Sequence, residues 1–210
     1  KIINDKQKLG LEYYEDLIKR IPRKEIDCYN NKIKSICERI SKHIIYSING
    51  SYRRKHADSG DIDILITSND EDPTLLRNKL IDELIKAKII IATLANGKKK
   101  FMGITKLNED GYNIARHMDI MDTDPSTFPF AQLYFTGSGN FNSNMRSKAL
   151  KLGYSLNEYC ISDKKTKKPI DKHIILKKIG KPNFTDEKDI FEFLEMEYLE
   201  PENREINYIS

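Results

Sequence analysis

The chain has 210 residues, enough for one large domain or two small ones with a buried core. With 39% hydrophobic and 32% charged residues, and no apolar run near the ~20 residues of a membrane span, it reads as soluble and globular rather than as a helical membrane protein. A net charge of +4 permits nucleic-acid binding without arguing for it. Three scattered cysteines, Cys28, Cys37 and Cys160, lack disulfide or zinc spacing and fit a reducing compartment.

The chain opens Lys-Ile-Ile-Asn-Asp-Lys, with no secretory signal and no starting Met, as a piece of a longer protein would. The expectation is an intracellular protein, cytoplasmic or nuclear and not secreted. Residues 1–22 are expected to be helical, with Leu9, Leu11, Tyr14, Leu17 and Ile18 on one face and Pro22 as the stop. A second helix carries Ile33, Ile36, Cys37, Ile40 and Ile44 at three- and four-residue steps. It leads into a strand, Ile45 to Ile48, and then Gly50.

Asp61 to Thr67 is strand-like, largely β-branched and alternating at its start. Asp72-Pro73 is an N-cap followed by a first-turn proline, opening a helix with Leu75, Leu76, Leu80, Leu84 and Ile85 inward. Strands follow at Ile89 to Ala92, Phe101 to Thr105 and Met118 to Met121. Past Pro125 come helices at Pro129 to Tyr134 and Phe141 to Leu152, and short strands near Tyr154 to Ile161, with Cys160 in strand. A last helix runs over about Asp186 to Tyr198. The fold class is α+β: a mixed sheet with helices in the middle and a smaller α+β lobe at the end.

Alternate side chains of a strand share a face, so Asp61 and Asp63 point the same way while Ile62, Ile64 and Ile66 point to the core. Two carboxylates side by side repel, and a hard cation such as Mg2+ removes that penalty. A bare Asp-x-Asp is a weak signal that can equally cap a solvent-facing edge. The upstream residues strengthen it. Gly50 lets the backbone approach an oxyanion, Ser51 opens a short helix whose N–H groups suit a triphosphate, and Arg54 adds a bidentate phosphate donor. Asp119, flanked by Met118 and Ile120, is the candidate third carboxylate of a two-metal site. Asp122 and Asp124, beside Pro125, read as turn residues.

Taken together, Gly50-Ser51-Tyr52-Arg53-Arg54, Ser59-Gly60-Asp61-Ile62-Asp63, Arg116-His117-Met118-Asp119-Ile120 and Tyr134-Phe135-Thr136-Gly137-Ser138 with Asn142 and Arg146 resemble the beta-like family X DNA polymerases. Tyr14-Glu15-Asp16, Lys19 to Arg23, Lys100 to Gly103, Asn157-Glu158-Tyr159 and Glu187 to Phe191 extend the likeness over nearly the whole chain, in order.

The resemblance implies a nucleotidyltransferase palm with a mixed β-sheet at 23–125, a short helical thumb remnant at 1–22, and a smaller α+β nascent-base-pair-binding, fingers-like lobe at 126–210. It implies two Mg2+ ions, with Mn2+ as a substitute, on Asp61, Asp63 and Asp119. Gly50, Ser51, Arg54, Ser59 and Gly60 are then triphosphate contacts. Tyr134, Phe135 and Gly137 belong to the turn that crowds the sugar, and Asn142 and Arg146 read the minor groove. Lys100, His117 and Tyr134 become DNA contacts, and Glu158 a partner in closure. The implied activity is template-directed filling of short gaps in DNA repair. It would use dNTP and gapped or primer-template DNA, with no membrane and as a monomer.

Several positions depart from the family pattern. His117 and Met121 stand where arginines are expected, Gly139 replaces an aspartate, and Ser143 a lysine. These put the closing motion and fidelity in question rather than the chemistry. The chain begins after the position of the family's helix-hairpin-helix and amino-terminal lyase regions. The alternatives are a template-independent transferase of the same family, which the short Leu94 to Lys100 stretch disfavours, a catalytically weak DNA gap- or end-binding module, and an enzyme acting on RNA or a small molecule. The lysine runs Lys98-Lys99-Lys100 and Lys164-Lys165-Thr166-Lys167-Lys168 can track a DNA backbone, although such runs are more often solvated loops.

Overall fold

The computed structural model describes residues 4–109 and 111–205. In chain order the elements are α1 (Asp5–Glu12), α2 (Tyr14–Leu17), β1 (Ile21–Pro22), α3 (Arg23–Ile40), β2 (Ile45–Ile48), α4 (Gly50–Arg53), β3 (Asp58–Ser59), β4 (Ile62–Thr67), α5 (Pro73–Lys86), β5 (Ile90–Asn96), β6 (Lys100–Thr105), β7 (Arg116–Asp122), α6 (Phe128–Thr136), α7 (Gly139–Lys151), β8 (Tyr154–Leu156), β9 (Ile161–Asp163), α8 (Lys172–Ile179) and α9 (Glu187–Phe193). A short 3-10 turn follows at Pro201–Asn203. The chain divides into two compact units, residues 1–48 with 56–123, and residues 49–55 with 124–210.

The first unit is built on a five-stranded sheet in the order β2-β4-β7-β6-β5. Only the β4–β7 pair is parallel, and the others are antiparallel. α5 lies against β4, β5 and β7, and α3 packs on α5. Strand alternation sends Ile62, Ile64 and Ile66 of β4, with Met118 and Ile120 of β7, to one face, and all five are buried. On α5 the buried apolar residues are Leu76, Leu80, Ile81 and Leu84, one stripe of the helix. Each such side chain contributes roughly 1.5–3 kcal/mol relative to exposure.

Asp72 caps α5 as expected, its carboxylate accepting from the Thr74 N–H at 2.9 Å, with Pro73 in the first turn. Leu75 and Ile85 were expected inward but are 50% and 44% exposed, because the buried stripe runs through Leu76, Leu80 and Leu84.

The amino-terminal helix also differs from expectation. It is two short helices followed by β1 rather than one element, and Leu11, Tyr14 and Ile18 are exposed. The first three residues of that expected helix lie outside the described residues. α3 ends at Ile40, so Ile44 lies beyond it. β1 pairs with β3, a two-residue strand too short to read from periodicity.

The second unit is helical around a small hairpin of β8 and β9. Its core holds Phe130, Leu133, Phe141, Met145, Phe184, Ile190, Phe191 and Phe193. α8 was not foreseen, since its lysines leave only Ile175 and Ile179 buried. Cys160 precedes β9 rather than lying in a strand. The strongest tie is ionic: Glu187 accepts from both terminal nitrogens of Arg53, at 2.8 and 2.9 Å, and from Arg204 at 3.0 and 3.1 Å. Arg204 is fully buried among the rings of Phe141, Phe191 and Tyr198. These paired, charge-assisted bonds hold the Glu187 carboxyl below its usual range against the opposing effect of burial.

Candidate active site

The three aspartates singled out from the sequence belong to the first unit. Asp63 of β4 and Asp119 of β7 are register partners across the parallel pair, so their side chains leave the sheet on the same face, opposite the apolar one. Asp61 precedes β4 and is exposed, while Asp63 and Asp119 are partly covered. Burial, then Asp61, then Asp119 push the Asp63 carboxyl up to about 7, with Lys100 opposing them. The group of carboxylates is short of positive charge. Its hard oxygen donors and mutual repulsion suit a divalent cation.

Among the described residues, no three His, Cys, Asp or Glu side chains already converge at coordinating distance. The Asp119 carboxylate is engaged by the Lys100 ammonium at 2.5 Å. Lys100 opens β6 and faces Met121, two positions along β7 from Asp119, so it reaches the carboxylate diagonally. His117 lies on β7 opposite Ile104.

The ends of β7 are fixed by ion pairs that sequence reading missed. At the start, Arg116 donates to both carboxylate oxygens of Glu25, at 2.8 and 2.6 Å, and to the carbonyls of Lys19 and Arg20. The adjacent Ala115 N–H donates to Asp16 at 3.0 Å. At the other end, Asp122 is a buried hub and not a turn residue. Its carboxylate accepts from Thr74 at 2.7 Å and Lys99 at 3.0 Å, and faces the Arg77 guanidinium at 3.2 Å. Arg77 also donates to the Gly97 carbonyl, tying the β5–β6 turn to α5. The odd aspartate at the end of an apolar strand was the one available signal.

Ser59 is buried in the β1–β3 pair, and Gly60 follows it. A Cβ at Gly60 would approach Arg20 Nη1 to 3.3 Å.

Gly50, Ser51 and Arg54 belong to the second unit. Gly50 has φ 63° and opens a single helical turn, α4, so its N–H groups rather than a long helix dipole would serve an anion. Arg54 donates to the Thr136 carbonyl at 2.6 Å and pairs with Glu205. Arg53 donates to the Thr136 hydroxyl at 2.7 Å. Together they brace the carboxyl-terminal end of α6, where Tyr134, Phe135 and Thr136 are helical rather than in the expected turn and Gly137 is the cap. Gly137 has φ 69° and ψ −157°, a region open almost only to glycine, and a Cβ there would meet Arg54 Nη1 at 3.1 Å. The Gly137–Ser138 peptide is cis.

The sequence-predicted contacts of this unit come together. Asn142 donates to the Tyr134 carbonyl at 2.8 Å, and the Arg146 guanidinium lies 5.0 Å from the centre of the Tyr134 ring. Phe135 meets Tyr134 edge-on, and Glu158 pairs with Arg146 at 3.6 Å. Tyr134, Asn142, Met145, Arg146 and Asn157 line a small cleft.

A five-stranded mixed sheet bearing partner aspartates on two parallel strands, followed by a helical unit with a braced helix end at Phe135-Thr136-Gly137, is the arrangement of a polymerase palm and its companion domain. Two family models match accordingly, DNA polymerase beta palm over residues 20–124 and DNA polymerase beta thumb over residues 131–205. The palm model alone takes in half of the chain, and the chain belongs to the DNA polymerase beta family, family X.

It is 31% identical to DNA polymerase lambda of Rattus norvegicus over 95% of this chain and 35% of that protein. It is 25% identical to DNA polymerase lambda of Arabidopsis thaliana over 95% of this chain and 39% of that protein. The third relative is DNA nucleotidylexotransferase of Xenopus laevis, 28% identical over 94% of this chain and 44% of that protein. The chain thus spans less than half the length of these relatives. No helix among the described residues is long and apolar enough to cross a membrane.

Proposed function

We propose that this chain carries the nucleotidyl-transfer centre of a template-directed DNA polymerase that fills short gaps in DNA repair. The observation that carries the reading is the register pairing of Asp63 with Asp119 across β4 and β7, with Asp61 beside them. Asp61, Asp63 and Asp119 would hold two Mg2+ ions, Mn2+ substituting, and when bound the ions neutralise charge on the attacking and leaving oxygens. Lys100 would give up Asp119 as that charge arrives.

In the reaction, the primer 3′-oxygen forms a bond to the α-phosphorus of a dNTP. The bond from that phosphorus to the bridging oxygen breaks, and pyrophosphate leaves. The Asp119 carboxylate receives the hydroxyl proton. Gly50, Ser51, Arg54, Ser59 and Gly60 hold the triphosphate. Tyr134, Phe135 and Gly137 crowd the sugar and disfavour a 2′-hydroxyl. Asn142 and Arg146 read the minor groove of the nascent pair, with Glu158 orienting Arg146. Lys100 and His117 meet the DNA strand. In domain terms, residues 1–22 precede the palm at 23–125, and 126–210, most of which the thumb model matches, form the lobe that receives the new base pair.

The likeness to a DNA nucleotidylexotransferase supports a second reading, template-independent addition. The connection from β5 to β6 is only Gly97–Lys99, which favours the templated reading, because a template-independent relative is expected to carry a long insertion there. Extension of a one-nucleotide gapped duplex, beside the same primer without template, decides between them. The templated reading requires one complementary nucleotide added in the gap and little on the single strand. Equal addition to both would overturn it.

A further inference from the structure

The second unit carries a strong positive surface that none of the roles above uses. Residues 163–181 contain eight lysines against two aspartates, net +6, while the whole chain is +4, so everything else is net negative. Two of those lysines are engaged, Lys178 by Glu195 and Lys181 by Asp189. Lys164, Lys165, Lys167 and Lys168 are exposed, and among the described residues no carboxylate forms an ion pair with any of them.

The adjacent carboxylate, Asp163, is taken up by the backbone of the turn itself. Asp163 accepts from the backbone N–H of Lys165 at 2.9 Å and of Thr166 at 2.7 Å. These bonds, the Thr166 ones first, hold its carboxyl below the usual range, with the Lys165 charge a smaller contribution. The turn is further fixed by the Lys167 N–H to the Asp163 carbonyl at 3.0 Å, the Asp163 N–H to the Lys168 carbonyl at 2.9 Å, and the Lys164 N–H to the Gly153 carbonyl at 2.9 Å. Four ammonium groups are therefore presented on an ordered turn beside an open groove edged by Tyr154, Pro169 and Ile174.

We propose that the Lys164–Lys168 turn is a second, sequence-independent DNA-backbone contact, binding phosphates of duplex DNA through residues that take no part in holding the reacting nucleotide. It rests on the reading that this chain works on DNA. Compact ammonium groups at the tips of flexible stems suit phosphate neutralisation, which releases counterions and makes affinity steeply salt-dependent. No aromatic side chain stands among the four lysines to read a base, so the contact positions the duplex without selecting its sequence.

The test is the affinity of the whole chain for a gapped duplex as salt is varied, for wild type and for a variant with Lys164→Gln, Lys165→Gln, Lys167→Gln and Lys168→Gln. Each lost phosphate contact flattens the log-affinity against log-salt slope by ~0.9, so the variant should lie flatter by ~2–4 and bind at least about tenfold more weakly at low salt. Its melting temperature and its dNTP affinity should be unchanged, because all four side chains are exposed. An unchanged slope in a variant of normal stability overturns the proposal. So does loss of binding to phosphatidylserine vesicles with DNA affinity intact, which would make the turn a membrane contact. Failure of the wild type to bind DNA at all would instead overturn the underlying reading.

Discussion

Replacing Asp63 by asparagine should stabilise the metal-free protein while removing its chemistry. In the folded chain the Asp63 carboxyl rises from its ordinary 3.8 to about 7, through burial and the charges of Asp61 and Asp119. A raised carboxylate pKa means that between about pH 4 and pH 7 the folded state holds a proton that the unfolded chain has lost. Stability therefore falls as pH rises across that window, and the full penalty is present above pH 7.

A shift of about three units corresponds to roughly 4 kcal/mol at ~1.4 kcal/mol per unit. Water reaching the partly covered carboxylate reduces this, and about 1–3 kcal/mol is the expected gain for Asp63→Asn at pH 8. For a chain of this length that is ~2–4 °C in melting temperature per kcal/mol. The assay is thermal unfolding with chelator at pH 5 and pH 8, then with Mg2+. The variant should gain at pH 8, gain much less at pH 5, and respond less to Mg2+ than wild type. A variant that melts at or below wild type at pH 8 in chelator would refute the argument that burial and neighbouring carboxylates make the Asp63 charge costly.

The other predictions concern the ties around that site. Lys100→Met removes the ammonium 2.5 Å from Asp119, so Mn2+ binding followed by electron spin resonance should tighten about two- to fivefold, as a half-exposed pair of ~0.5–1 kcal/mol allows. Unchanged or weaker binding would show that Lys100 does not compete there. Glu187→Gln leaves Arg53 and Arg204 without their shared anion and should lower stability to urea by about 3–5 kcal/mol. Because the Glu187 pKa is depressed, its contribution is present above the ordinary glutamate range and is lost as pH falls through the lower, folded value. The difference between wild type and variant should therefore shrink in acid, and a difference constant down to low pH would contradict the assignment.

The parts of the fold that follow from local chemistry were legible in the sequence. β4 announces itself by Ile62, Ile64 and Ile66, and α5 by the Asp72-Pro73 start, because strand alternation and helix capping act over a few residues. Which leucines of α5 point inward depends on what packs above it, and Leu75 and Ile85 were misjudged for that reason. The long-range ion pairs were not legible. Glu187 and Arg53 are 134 positions apart, and nothing local marks them as partners.

Asp122 looked like a turn residue because it sits two positions from Asp124-Pro125. It is buried because Thr74, Arg77 and Lys99, from α5 and the β5–β6 turn, converge on it. The candidate site lay between these extremes. Asp-x-Asp alone was weak, Gly50-Ser51 and Asp119 made it specific, and the parallel pairing of β4 with β7 then set Asp63 beside Asp119. What the sequence could not show was Lys100 lying on Asp119.

The central claim is that the carboxylates around β4 and β7 carry out nucleotidyl transfer. Single-turnover release of pyrophosphate, with a one-nucleotide gapped duplex, complementary dNTP and Mg2+, tests it most directly when wild type is set beside Asp61→Ala. Asp61 is exposed, so the variant should fold normally. The account predicts release matched by one-nucleotide extension for wild type, and a loss of at least about a thousandfold, ~4 kcal/mol of transition-state stabilisation, for the variant. Near-normal release by a folded Asp61→Ala protein would contradict it.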